Sequence, residues 1–260
     1  MLTTFSGKGT PLSQGDVATA VGSLGGDEAS LWALVAVETR GFGFLPDRRP
    51  QILFERHIFH QRTGGRFTIA HPDISNPTPG GYAGDAAEYD RLRRAMELNE
   101  IAALESASWG LGQVMGFNAQ KAGFGNAEAM VTAMVASEAS QMQATIRFMM
   151  ASAALLAAYR ARAWAKMAFF YNGSGFAKNH YDAHLEHYHE IYSIPANRPD
   201  INLRTAQACL TYLGFDPQGV DGVLGSRTRV ALLAYRRDRG MQPGGLDAQV
   251  LQRLIAEANV

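Results

Sequence analysis

Glu38 closes the apolar run Ser30-Leu31-Trp32-Ala33-Leu34-Val35-Ala36-Val37, and Gly41 and Gly43 follow at once. Leu31, Leu34 and Val35 sit at i, i+3 and i+4, and Glu38 falls at i+7 on the same stripe. A carboxyl group is therefore aimed at the face a helix buries. The last carbonyls of a helix disfavour negative charge there, and apolar neighbours disfavour it again. Both effects raise the pKa, toward an acid that keeps its proton near neutral pH. Protonating a glycosidic oxygen requires such a group. The alternative is a glutamate turned out to solvent at a frayed helix end.

Two further segments place polar groups where backbone can approach a ligand. Ser106-Ala107-Ser108-Trp109-Gly110-Leu111-Gly112-Gln113-Val114-Met115-Gly116 is a glycine-flanked turn carrying Ser108 and Gln113. Phe170-Tyr171-Asn172-Gly173 ends an apolar stretch, and Tyr171 has both a flat apolar face and a hydroxyl. His180, His184 and His187 fall at i, i+4 and i+7 with His189 nearby, a spacing compatible with zinc. The surrounding stretch is polar on several sides and lacks a His-Glu-x-x-His pattern, so a solvated or cleft-rim helix face is expected and no metal site.

These residues need elements to hold them. Asp27 is a good N-cap, and the pattern predicts a helix from Glu28 to Glu38 stopped by glycine. A helix near Ser13–Ser23 precedes it. Gln51-Ile52-Leu53-Phe54-Glu55-Arg56-His57-Ile58-Phe59 is rich in β-formers and predicts a short strand or hairpin. Residues 63–84 are loaded with Gly, Pro, Asn and Asp and predict an irregular loop. A helix is expected over Glu88–Ala103, then two long helical stretches, Ala127–Ala157 and Tyr159–Tyr171. Trp164, Met167, Ala168, Phe169 and Phe170 make the second apolar nearly all round, so it is expected to be central and buried.

Taken in order, Glu38 at a helix end, the Ser108-to-Gln113 turn and the Tyr171-Asn172-x-Gly motif resemble the lysozyme-like superfamily of goose-type lysozymes and lytic transglycosylases. Val37-Glu38-Thr39-Arg40-Gly41, Gly43-Phe44-Leu45-Pro46-Asp47 and the Ile52-to-Phe59 block more closely resemble the N-acetylmuramidase family, found in modular phage endolysins. The resemblance covers most of residues 10–190. It implies that Glu38 protonates the oxygen between N-acetylmuramic acid and N-acetylglucosamine, with Gln113, Ser108, Tyr171 and Asn172 lining the cleft. Gln113 has a second reading, that it satisfies turn backbone, and Tyr171 another, that it is a core aromatic with a bonded hydroxyl. Glu55 is the first choice for a second carboxylate, with Asp47 and Glu105 as alternatives. A structural ion pair with Arg56 or another arginine is the other reading of Glu55. His57 either orients a carboxylate or contacts sugar, or it is structural. Hydrolysis and 1,6-anhydro product formation stay open, with the closer resemblance on the side of hydrolysis.

Two prolines in the polar run Ile194-Pro195-Ala196-Asn197-Arg198-Pro199-Asp200 predict a linker. The expected organisation is a catalytic domain over residues 1–193, a linker over 194–200 and a small domain over 201–260. In the last, three helices are expected: Leu203–Leu213, one capped by Ser226 with Val230, Leu233 and Ala234 inward, and Asp247–Ala256. Asp221-Gly222-x-x-Gly225-x-x-Thr228-x-x-Ala231-Leu232-x-x-Tyr235 resembles the peptidoglycan-binding domain type 1 family, a three-helix wall-anchoring module. Its Thr228 is expected to bond within the turn. Arg227, Arg229, Arg236 and Arg237 are expected to be exposed. Tethering such a module raises the effective concentration of wall at the cleft.

The expected fold class is thus mainly α: a lysozyme-like helical domain with a small β-hairpin, plus a three-helix module. The 260 residues carry 24 basic and 24 acidic side chains, a balance that speaks against nucleic acid or anionic lipid as a bulk electrostatic partner. The single cysteine, Cys209, excludes an intrachain disulfide and is expected in the core. The first residues lack a basic-then-apolar leader, and Phe148–Ala158 is too short to span a bilayer. The expectation is a monomer made in a bacterial host cytoplasm and released to the wall by a holin-made hole or a delivery machine. Its partner would be the peptidoglycan glycan strand, without membrane insertion and without a cofactor.

Overall fold

A computed structural model describes residues 4–260, the Lys178 side chain excepted. Residues 1–3, part of the stretch read for a leader, lie outside them. The fold is mainly helical. Helices α1 (Gln14–Leu24) and α2 (Glu28–Thr39) are followed by strand β1 (Ile52–Phe54), α3 (Arg56–Arg62) and α4 (Glu88–Glu105). A hairpin of β2 (Ala107–Trp109) and β3 (Val114–Met115) leads to α5 (Ala127–Met134), α6 (Glu138–Met150), α7 (Ala153–Arg160), α8 (Trp164–Asn172) and α9 (Tyr181–Ser193). The chain ends in α10 (Ile201–Tyr212), α11 (Ser226–Asp238) and α12 (Ala248–Ala258).

The three strands form an antiparallel sheet ordered β1-β2-β3, with Leu53 opposite Ser108 and Ser108 opposite Met115. One core gathers the sheet, α4 and α5 around Phe54, Phe59, Tyr89, Trp109 and Met130. A second gathers α1, α2 and α6–α9 around Leu31, Leu34, Val35, Ile146, Tyr159 and Leu185. The three C-terminal helices enclose a third around Leu210, Leu232, Tyr235 and Leu254, and Cys209 is buried in it.

α2 is the central helix. Every residue from Ala29 to Ala36 is buried. Asp27 caps it by accepting from the Ser30 N–H at 2.7 Å, an interaction worth about 1 kcal/mol. Its stop differs from the expected one: Arg40, not glycine, takes the left-handed conformation (φ 54°), and Gly41 follows at φ 102°.

Other expectations fail for identifiable reasons. Ala127–Ala157 is three helices, because Ser137 and Ser152 each accept a backbone N–H as N-caps and restart the helix. Tyr159–Tyr171 is not a central buried helix. The chain turns through Arg162 at φ 54°, and in α8 only Met167 and Ala168 are buried. Phe169 and Phe170 are 50% and 43% exposed. In α11 the inward face is Ala231, Leu232 and Tyr235, while Val230 and Leu233 are exposed. Gly225, not Ser226, is its N-cap residue. Thr228 accepts from Gln207 of α10 rather than bonding within the turn. Arg236 is buried, bonded to the Gln242 and Gly245 carbonyls and to Asp247.

Residues 194–200 are ordered. Pro195–Asn197 make a 3-10 turn, Arg198 donates to the Tyr192 carbonyl and to Glu28, and Asp200 caps α10. Beyond them, Phe42 and Phe44 share a small core with Ala208 and Val220. Among the described residues no helix is long and apolar enough to cross a membrane.

Candidate active site

Glu38 lies in the last turn of α2, where the stripe begun by Leu31 and Leu34 places it, and is partly buried. Its Oε1 accepts a very short hydrogen bond from the Tyr181 hydroxyl. Burial raises the Glu38 pKa from 4.5 to about 7, and the Tyr181 bond opposes part of that rise by favouring the ionised form. Tyr181, the first residue of α9, is 6% exposed and stacks on Tyr171 at 6.5 Å between ring centroids. Tyr171 in turn donates to the Gly112 carbonyl at 2.6 Å. Burial and the nearby Glu38 hold both phenols well above their usual pKa, so both stay protonated donors.

The turn that receives Tyr171 is closed by its own side chains. Gln113 sits at φ 47°. Its Oε1 accepts from Ser108 Oγ at 2.6 Å, and its Nε2 donates to the carbonyls of Gly110 (2.9 Å) and Gln51 (3.3 Å). Both amide protons are thereby used, which matches the reading that Gln113 satisfies turn backbone; one Oε1 lone pair is left over for a sugar. Ser108 is buried in the sheet. Thr39 Oγ1 lies within bonding distance of the Leu111 carbonyl, fastening the Glu38 helix to this turn. Asn172 is exposed at the end of α8, beside Tyr171.

Glu55 stands at the far end of β1. Its two oxygens each accept from the Tyr82 hydroxyl at 3.0 Å, and His57 Nδ1 lies 3.0 Å from Oε2 without hydrogen-bond alignment. The ion pair with Arg56 does not form: Arg56 donates instead to the carbonyls of Thr78 and Pro79. Burial, then the Glu55 charge, lift the Tyr82 hydroxyl to about 12. Tyr82 belongs to the glycine- and proline-rich loop, which the buried Glu88 latches in place. Glu88 accepts from the Phe54, Ala83 and Gly84 N–H groups and pairs with Arg91 at 2.8 Å. Of the alternatives to Glu55, Asp47 is paired with Arg49 and Glu105 with Arg62.

Both clusters border strand β1 of the sheet. The Gln51 carbonyl is bonded by the turn, and Glu55 follows four residues later, roughly 13 Å along an extended strand. Burial and the Tyr181 bond set the Glu38 pKa. Among the described residues no three His, Cys, Asp or Glu side chains converge to hold a metal.

Tyr181 was not legible as a site residue. It lies ten residues past the Tyr171 motif, and the only signal was an aromatic at the start of a polar helix. We expect Tyr181→Phe to move the alkaline loss of activity to higher pH, because the donor favouring the charged carboxylate is gone. A pH profile of kcat/KM measures this, and an unmoved limb would remove Tyr181 from the site.

The N-acetylmuramidase family model matches residues 27–193, and the model described as "Putative peptidoglycan binding domain" matches residues 200–254. The crystal structure of Burkholderia AP3 phage endolysin is similar at 44% identity and a TM-score of 0.64, over 71% of this chain and 72% of that one. The localization factor PodJL of Caulobacter vibrioides, in strains NA1000 / CB15N and ATCC 19089 / CIP 103742 / CB 15, is 43% identical over 58 residues, 22% of this chain. The chain spans only 6% of the length of those curated relatives. A match that takes in Glu38, the hairpin turn and the Tyr171–Tyr181 pair covers well over half of the sequence, and the chain belongs to the N-acetylmuramidase family.

Proposed function

We propose that the chain is an endolysin-type muramidase in which Glu38 is the general acid for the β-1,4 bond between N-acetylmuramic acid and N-acetylglucosamine. The observation that carries this is the Glu38 carboxyl itself: buried, raised to about 7 and oriented by Tyr181. Near neutral pH such a group delivers a proton to the leaving oxygen, and little energy is spent protonating it first. Glu55, oriented by Tyr82 and flanked by His57, polarises the water that attacks the sugar. Tyr171 and Asn172 border the saccharide groove, with Gln113 and Ser108 shaping its turn. Residues 1–193 make up the catalytic domain, 194–200 the connection and 201–260 the wall-binding domain. The enzyme acts as a monomer on glycan strands after release from the cytoplasm in which it is made.

A lytic transglycosylase is the second reading, and one observation favours it: the side-chain partner of Glu38 is Tyr181, while Glu55 is held by Tyr82 and His57 in a separate cluster, so Glu38 stands as a lone acid. Mass spectrometry of digested sacculi separates the two. Hydrolysis yields reducing N-acetylmuramic ends, and Glu55→Gln then lowers kcat on the order of 10²-fold. Anhydro ends together with an active Glu55→Gln chain would establish the transglycosylase instead.

A further inference from the structure

Side chains from the 194–200 connection and from α10 reach the helix that carries Glu38. Arg198 reaches Glu28, and the Arg204 guanidinium lies 5.8 Å from the centre of the Trp32 ring, one turn further along α2. Past the end of that helix Arg204 donates to the Gly41 carbonyl, with Nε at 3.0 Å. The same side chain, 1% exposed, grips both oxygens of the fully buried Glu138 at the start of α6. Glu138 also accepts the N–H groups of Gly43 and Leu12, each at 2.9 Å. Four donors thus satisfy one carboxylate, and the segment 41–43 that leaves the acid's helix is fixed by both α6 and α10. Gly41 at φ 102° also packs against the Val220 carbonyl, where a Cβ would meet it at 3.0 Å. Tyr212 and Arg48 extend the seam, bonding the carbonyls of Gly9 and Ala258.

We infer that Arg204 is a positioning residue of the active site: by clamping Gly41 to Glu138 it sets the exit of the Glu38 helix, so the wall-binding module is the back wall of the catalytic domain and not only its anchor. The inference rests on Glu38 being the acid. Arginine suits the task because its planar fork grips both oxygens of a carboxylate and still presents an N–H to a carbonyl, whereas a lysine ammonium is a point charge without that fork. A shift of the helix end displaces the carboxyl from its bond with Tyr181, and small displacements of a reacting group are costly in rate.

The test uses the full-length chain and two substrates. Soluble glycan strands stripped of peptide report turnover, and whole sacculi report wall binding in a Glu38→Gln background. Arg204→Met is expected to lower kcat on soluble strands about tenfold or more, with KM changed by less than about threefold. The alkaline limb should move to lower pH, as water reaches the carboxyl now shielded with Tyr171 and Tyr181. Arg204→Lys keeps the buried charge opposite Glu138 and should fold and bind sacculi normally while recovering only part of kcat. If Arg204→Met does not fold, Arg204→Lys decides by the same readings. Folded Arg204 variants with wild-type kcat and an unmoved limb would reduce the module to a tether and overturn the inference, even with Glu38→Gln inactive. A Glu38→Gln chain that still cleaves soluble strands would overturn the acid assignment first and this inference with it.

Discussion

Glu38→Gln is expected to leave the fold intact and to lower sacculus cleavage to on the order of one part in 10² to 10⁴ of wild type. The replacement is close to isosteric, and its carbonyl oxygen can still accept from Tyr181, so α2 and α9 keep their contact. What disappears is the proton. An amide cannot transfer one to the bridging oxygen, and the neighbouring phenols cannot substitute, because burial holds both well above their usual pKa. Turbidity loss of sacculi, read beside far-UV circular dichroism, measures both halves of the expectation. Retention of more than about a tenth of the activity would mean that the leaving group departs without this acid.

Helical periodicity alone decides which face Glu38 shares. Leu31, Leu34 and Val35 are buried, and the carboxyl follows them inward. The caps Asp27, Asp200 and Asp247 and the buried Cys209 are local features of the same kind. Periodicity was silent where one short polar residue reset a helix, as Ser137 and Ser152 do, or where an apolar stretch faced solvent, as Phe169 and Phe170 do. Long-range partners were beyond reach for a different reason. Tyr181 meets Glu38 across 143 residues and Arg204 meets Glu138 across 66, and no local pattern encodes either pairing. The polar run before α10 reads as a spacer because its prolines break helices. Arg198 and Asp200 nonetheless order it by contacts that only the folded chain supplies. Gln113 shows the same limit in reverse: its position was legible, but its bonds to Ser108, Gly110 and Gln51 follow from the register of the sheet.

The raised acid carries a cost in stability that grows with pH. Between the ordinary value of 4.5 and the folded value of about 7, the native chain holds a proton on Glu38 that the unfolded chain has released. Stability therefore falls as pH rises through that window. The contribution is fully present below 4.5 and is lost once pH passes about 7. At about 1.4 kcal/mol per unit the whole effect is at most about 3.5 kcal/mol, and residual solvent contact makes it smaller. Glutamine never ionises, so Glu38→Gln should melt well above wild type at pH 8 and close to it at pH 4. Urea or thermal melts of both chains at the two pH values give a double difference in which other titrating groups cancel. Activity should run parallel, falling about tenfold per unit above pH 7 as the acid loses its proton. A stability gap of equal size at both pH values would place the carboxyl in water. The same low-dielectric pocket that makes the group an acid at neutral pH must destabilise its charged form, so a chain that showed one effect without the other would contradict the site.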